Sequence, residues 1–205
     1  MKQRIIVNYF KTALAAAFFG VLFFLIFSCH NDSYMPKPRG YLRIDLPKHE
    51  YRVFDSTFPY KFEYAANARI SFDDYTKEGL YWLNIEYPAW KGKIRLSYKD
   101  ITKTSLDKLI EDSHTMVYKH IPKATAIKES MVKIPTKNIY GTAYDIEGKD
   151  VASPFQFYLT DSTDNFLRGA LYFYLRPNND SLQPVIDFII DDIDHMIKTL
   201  EWEKP

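Results

Sequence analysis

The chain has 205 residues, 27 Lys+Arg against 26 Asp+Glu, 17% aromatic side chains, seven glycines and one cysteine. Charge this evenly balanced gives nothing of the strongly basic face that nucleic-acid binding requires. One cysteine rules out an intramolecular disulfide and any zinc site built on cysteines, and so few glycines argue against a phosphate-cradling loop.

Residues 1–11 carry Lys2, Arg4 and Lys11 and no acid, and residues 12–27 are apolar apart from Thr12. That is the layout of a secretory signal peptide. It closes in Leu25-Ile26-Phe27-Ser28-Cys29, a small residue directly before the lone cysteine, which resembles a bacterial lipobox. The competing reading is an uncleaved anchor, but the apolar run falls short of the ~20 residues that span a bilayer comfortably. The expected product is cleaved before Cys29, which then carries acyl chains such as palmitate. Each buried methylene is worth about 0.8 kcal/mol, so several chains would hold the protein to the bilayer permanently. The boundaries read from the sequence are a signal peptide at 1–28, a tether with an extended arm at 29–50, and a single domain at 51–205. His30, rather than an acid, follows the cysteine, and Asp32 alone is a weak acidic tag. The expected location is the outer membrane, facing the periplasm.

Residues 30–33 are a short polar tether. In the stretch from Pro36 to Pro47, Pro36 and Pro38 hold the backbone extended, and Leu42, Ile44 and Leu46 alternate with Arg43 and Asp45. The segment is either a spacer or an arm that docks. If it docks, Lys37, Arg39 and Arg43 are donors for a partner's carboxylates or phosphates, with Gly40, Tyr41 and Asp45 between them.

The run Pro36-Lys37-Pro38-Arg39-Gly40-Tyr41-Leu42-Arg43-Ile44-Asp45-Leu46-Pro47, a few residues after a lipobox cysteine, resembles the opening of the gliding-motility lipoprotein GldD family. The likeness continues through residues 51–64, through Trp82-Leu83-Asn84-Ile85-Glu86-Tyr87-Pro88 and through 106–120. The resemblance implies an envelope component needed for gliding motility and the associated type IX secretion apparatus, with other proteins of that machinery as partners. It implies no enzymatic activity, no cofactor and no active-site residues to carry over.

Beyond the arm, period-two alternation predicts strands. Tyr60, Phe62 and Tyr64 form one set; Ala68, Ile70 and Phe72 the next; Tyr81, Leu83, Ile85 and Tyr87 a third; Ile94, Leu96 and Tyr98 a fourth. A helix follows, with Thr104 and Asp107 as a capping box and Leu106, Leu109, Ile110, Met116, Val117 and Ile121 on its apolar stripe, stopped by Pro122. Strands are predicted at 131–134, 139–146, 155–159 and 167–175, with a hairpin connection at 161–165. The last element runs from Ser181 to about Trp202, with Ile186, Ile189, Ile193, Met196 and Leu200 on one stripe and Asp187, Asp191, Asp194 and Lys198 off it. This order predicts an α+β fold. Tyr158, Tyr172 and Tyr174 make the sheet aromatic on its second face as well, so helices are expected on both sides, an α/β/α sandwich whose element order resembles the Mog1/PsbP-like fold.

No catalytic motif stands out. His30, His49, His114, His120 and His195 include no His-Glu-x-x-His pair, and no Gly-x-Ser-x-Gly elbow or P-loop occurs. Asp191-Asp192-Ile193-Asp194-His195 has a metal-like composition without the spacing, and its carboxylates are expected to form a wet helix face. Two functions stay open at this level. One is a non-catalytic scaffold of an envelope machine. The other is a cell-wall hydrolase, whose paired carboxylates sequence spacing does not reveal.

Overall fold

In the computed structural model, which describes residues 44–72, 81–175 and 177–203, alternation of apolar and polar residues becomes strand almost everywhere it occurs. β1 (Tyr51–Phe54) and β2 (Tyr60–Ala65) form a hairpin, followed by β3 (Arg69–Phe72), β4 (Leu83–Tyr87) and β5 (Gly92–Asp100). Helix α1 (Leu106–Tyr118) interrupts the series. Then come β6 (Ala126–Ile134), β7 (Ile139–Glu147), β8 (Phe155–Thr160), β9 (Asn165–Phe173), α2 (Asn179–Thr199) and the two-residue β10 (Glu201–Trp202). The fold is α+β. Seven strands make one sheet in the order β3-β4-β5-β9-β8-β7-β6, every neighbouring pair antiparallel. β1, β2 and β10 make a smaller sheet.

Period two sorts the large sheet into two covered faces. Ile94, Leu96 and Tyr98 of β5 share a side with Leu167 and Leu171 of β9 and with Phe157 and Leu159 of β8. There they meet β2 and α2 in the main core, to which α2 contributes Ile189, Ile193 and Met196, each at most 1% exposed. On the opposite face Tyr144, Tyr158 and Phe166 receive Leu109 and Val117 of α1. A helix therefore lies on each side of the sheet, as expected, but α1 covers the aromatic second face only over Tyr144, Tyr158 and Phe166, and Tyr174 is 63% exposed.

Turn chemistry sets the hairpins. Pro88 and Pro135 each open a short 3₁₀ turn, closed by Lys91 and Asn138 in the left-handed region with φ of 53° at both. Each closing residue donates its N–H back to the proline carbonyl. Between β8 and β9, Asp161 Oδ1 accepts the backbone N–H groups of Thr163, Asp164 and Asn165 at 2.9–3.0 Å. Burial pushes that carboxyl up, but the N–H donors outweigh it and hold the group below the usual carboxylate range. The expected connection at 161–165 is therefore an Asp-centred loop.

Several expectations need correction. The capping box does not form: Ser105, not Thr104, is the N-cap of α1 and makes no side-chain cap bond, while Thr104 closes the preceding 3₁₀ turn. The aspartate at 107 is one methylene shorter than the glutamate such a box uses. Met116 and Ile121 are 43% and 57% exposed and do not belong to the buried stripe. Leu109 and Val117 already fill the contact with the sheet, and the chain leaves the helix in turns before reaching Ile121. β6 begins five residues earlier than predicted, because its first half is an exposed edge with polar residues where alternation is weak. α2 ends at Thr199 rather than near Trp202. The backbone turns extended at Leu200, and Glu201 and Trp202 pair with Lys61 and Tyr60 of β2.

Candidate functional site

Cys29, Lys37, Arg39, Gly40, Tyr41 and Arg43 lie outside the described residues. Asp45 is described, exposed in a segment without strand structure. One residue earlier, Ile44 packs against the main core. What the structure adds lies immediately downstream of the arm, where the chain is fastened to α2.

That fastening is built on a second stripe of α2. Phe188, Asp192, His195 and Thr199 follow one another at intervals of four, three and four residues, so they share one side of the helix. The His49 ring stacks on Phe188 with centroids 4.1 Å apart, and its Nδ1 lies 2.7 Å from Asp192 Oδ1. Tyr87 donates its hydroxyl to Asp192 Oδ2 at 3.1 Å. Further along, the rings of Tyr51 and His195 stack at 3.5 Å, and His195 Nε2 lies 2.7 Å from Glu63 Oε2. Thr199 Oγ1 accepts the backbone N–H of Glu63. The residues after the arm, both strands of the β1–β2 hairpin and β4 are thereby all bonded to one side of one helix.

Asp192 is 2% exposed. This corrects the expectation that the carboxylates of the 191–195 run face water. Asp191 and Asp194 do, whereas Asp192 turns inwards towards His49, Tyr51 and Tyr87. Burial pushes its carboxyl up, and the hydrogen bonds from His49 and Tyr87 pull in the other direction. The same carboxylate acts back on its neighbours. The Tyr51 phenol is pushed up to about 12, first by burial and then by Asp192, and Tyr87 is raised for the same two reasons.

A histidine on a buried aspartate resembles two-thirds of a hydrolytic triad. Among the described residues no hydroxyl or thiol of a serine, threonine or cysteine is hydrogen-bonded to His49. One side of the ring is occupied by Phe188. No group of His, Cys, Asp and Glu among the described residues is arranged to hold a metal ion. His114 is bonded through Nε2 to the Tyr144 hydroxyl at 2.9 Å, so three of the four described histidines serve as internal partners. The arrangement's chemistry is fastening. It fixes the segment after the arm to the domain by one charge-assisted bond and one ring stack.

The expected consequence is specific. His49→Ala should remove the Asp192 partner and the Phe188 stack together, lowering stability by about 1–3 kcal/mol, the usual cost of stranding a buried polar group. Limited proteolysis should then cut more rapidly before Tyr51. An unchanged melting curve together with an unchanged cleavage rate would show that the fastening does not hold the segment.

Sequence reasoning did not single out this cluster, although its signal was present. The 188–192–195–199 spacing marks a helix face, but an apolar residue, an acid, a histidine and a threonine do not look like one stripe. Its partner His49 lies 143 residues away from Asp192.

Among solved structures, the solution structure of cyanobacterial PsbP (CyanoP) from Synechocystis sp. PCC 6803 is similar at 11% sequence identity and a TM-score of 0.43, over 74% of this chain and 95% of that one. No curated protein matches the chain. The family described as Gliding motility lipoprotein GldD matches residues 31–202, a span that holds the arm, the fastening, the whole sheet and both helices, and the chain belongs to that family.

Proposed function

We propose that the protein is a lipid-anchored, non-catalytic scaffold of the gliding-motility and type IX secretion machinery. In this reading it sits on the periplasmic face of the outer membrane. Acyl chains on Cys29 hold it to the bilayer, and the arm with Lys37, Arg39, Gly40, Tyr41, Arg43 and Asp45 engages other envelope proteins. The observation that carries the reading is the family match, which begins at residue 31, two positions after the lone cysteine. The fastening is consistent with it. A docking arm is useful to a scaffold only if its root is fixed, and His49 stands two residues after Pro47. Arginine and tyrosine are also residue types that commonly anchor interfaces.

The test is a double substitution, Arg39→Ala with Arg43→Ala, in the full-length protein, with a Cys29→Ser strain alongside. The double variant should keep its melting temperature and its fatty-acid label while capturing fewer envelope partners, and motility and secretion should fall with capture. The Cys29→Ser strain should lose the label altogether. Undiminished capture by a stable double variant would remove the docking role, and labelled Cys29→Ser protein would remove the anchor.

A further inference from the structure

On the face of the sheet that carries α1, the helix covers β7, β8 and β9 but not all of β4 and β5. Between its flank and those strands lies a groove of about 300 Å³. Trp82 of the β4 edge, Arg95 and Lys99 of β5, Arg168 and Tyr172 of β9, and Met116 of α1 line it, with Asp112 the one acidic residue among the described ones. The register explains the convergence. Ser97 lies opposite Arg168 and Lys93 opposite Tyr172, so the polar side of β5 and the second side of β9 share one surface.

Two of the cations there, Arg168 and Lys99, are held without an ion pair to any described residue. Arg168 sits half-buried in the middle of the sheet, bonded to Gln156 and Tyr172, and it forms no ion pair with any described residue. Burial, with Arg95 beside it, pushes its guanidinium down from its usual range. Lys99 stands over the Trp82 ring at 5.1 Å, a contact that orients a cation but leaves its charge in place, and Arg95 lies over the same ring at 5.5 Å. Trp82 is fixed in turn, its Nε1–H donating to the Tyr98 carbonyl at 2.8 Å. Asn84, the register partner of Arg95, keeps a buried Oδ1 with no hydrogen-bond partner. A half-buried guanidinium fork, a second cation and rigid aromatic walls exceed what packing alone requires.

We propose that this groove binds a small oxyanion, a carboxylate or phosphate carried on a group about the size of one sugar or one amino-acid residue. Arg168 supplies the planar fork, Lys99 the second charge, and Trp82 and Tyr172 the walls. The size follows from the volume, which stands at the lower end of ligand pockets, about 300–1,000 Å³. A nucleic-acid backbone would need a continuous basic track, and the groove is a single recess.

The site is independent of the scaffold reading and is tested separately. The full-length chain in detergent is titrated with inorganic phosphate, with glucuronate and with uncharged glucose, ionic strength being held constant with sodium chloride. The readouts are the melting temperature and the indole N–H resonance of Trp82, assigned with Trp82→Phe. One or both anions should raise the melting temperature and shift that resonance, and glucose should do neither. Phosphate alone would point to a phosphorylated ligand, glucuronate alone to a sugar or peptide carboxylate. Arg168→Lys keeps the charge but loses the fork and should weaken binding about tenfold, the effect of losing one charge-assisted hydrogen bond. Lys99→Gln, which leaves the sheet's centre intact, should weaken it severalfold and serves if Arg168→Lys fails to fold. No shift of Trp82 at about 10 mM of either anion, or equal binding by wild type and Lys99→Gln, would overturn the site.

Discussion

Ile193→Asp should abolish the cooperative melting transition or lower it by tens of degrees, whereas Asp191→Asn two residues away should leave it almost unmoved. Ile193 is 0% exposed and lies on the stripe of α2 that faces the sheet. A carboxylate there has no donor, and its burial costs several kcal/mol, against a total of about 5–15 kcal/mol for a domain. In a chain of this size each kcal/mol moves the midpoint by about 2–4 °C. Asp191 is exposed on the other side of the helix, where substitutions usually stay within about 0.5 kcal/mol. Ile193→Val provides the scale between them, at about 0.5–1.5 kcal/mol for one lost methyl group. Thermal melts of the three variants should rank in that order. Equal losses from Ile193→Asp and Asp191→Asn would mean that the helix presents a different side to the sheet.

Gly169→Ala is the second large effect, although it adds only a methyl group. Gly169 lies opposite Phe157 in the β8–β9 ladder, and a Cβ there would stand 2.1 Å from Cζ of that ring. Phe157 is itself 2% exposed and cannot swing out to solvent. The ring or the strand has to move, and overpacking of this kind costs about 1–3 kcal/mol, more where the neighbours are fixed. The mechanism makes a further claim. Phe157→Leu alone should destabilise by leaving a void, but combined with Gly169→Ala it should cost less than the two single changes added together. Non-additivity of this sign is what a direct clash produces. Strict additivity in the double-mutant cycle would place the cost of Gly169→Ala somewhere other than the Phe157 ring.

Much of the fold was legible because one periodicity dominated each element. Leu83, Ile85 and Tyr87 alternate strictly and form β4; Ile94, Leu96 and Tyr98 do the same in β5; Ile189, Ile193 and Met196 keep helical spacing in α2. Misreadings arose where burial did not follow the pattern. β6 carries an exposed Met131, at 84%, because it is the sheet's edge and has a neighbour on one side only. β1 went unread, since Tyr51-Arg52-Val53-Phe54 exposes Val53, and what makes it a strand is pairing with β2. β10 consists of two residues whose strand character exists only through Lys61 and Tyr60.

The sites were harder to read for a related reason. His49 and Asp192 meet across the sequence, and Arg168 and Trp82 meet across three strands, so neither pair has a local signature. The resemblance identified the family, but the first two-thirds of its most specific stretch, Pro36 to Pro47, lie outside the described residues. The chemistry visible in the structure lies elsewhere.

The position of His49 has a mechanical consequence. Tension applied to the chain before residue 44 first meets the packing of Ile44 on the main core, then the His49–Phe188 stack and the His49–Asp192 bond, and only then Tyr51, where β1 pairs with Ala65 of β2. A pull across β1 opens its ladder one pair at a time from Tyr51, while a pull along it must break several pairs together. By gripping the chain two residues ahead of β1, His49 keeps the first of these from starting. Load is passed instead into α2, which lies on the largest sheet through the main core.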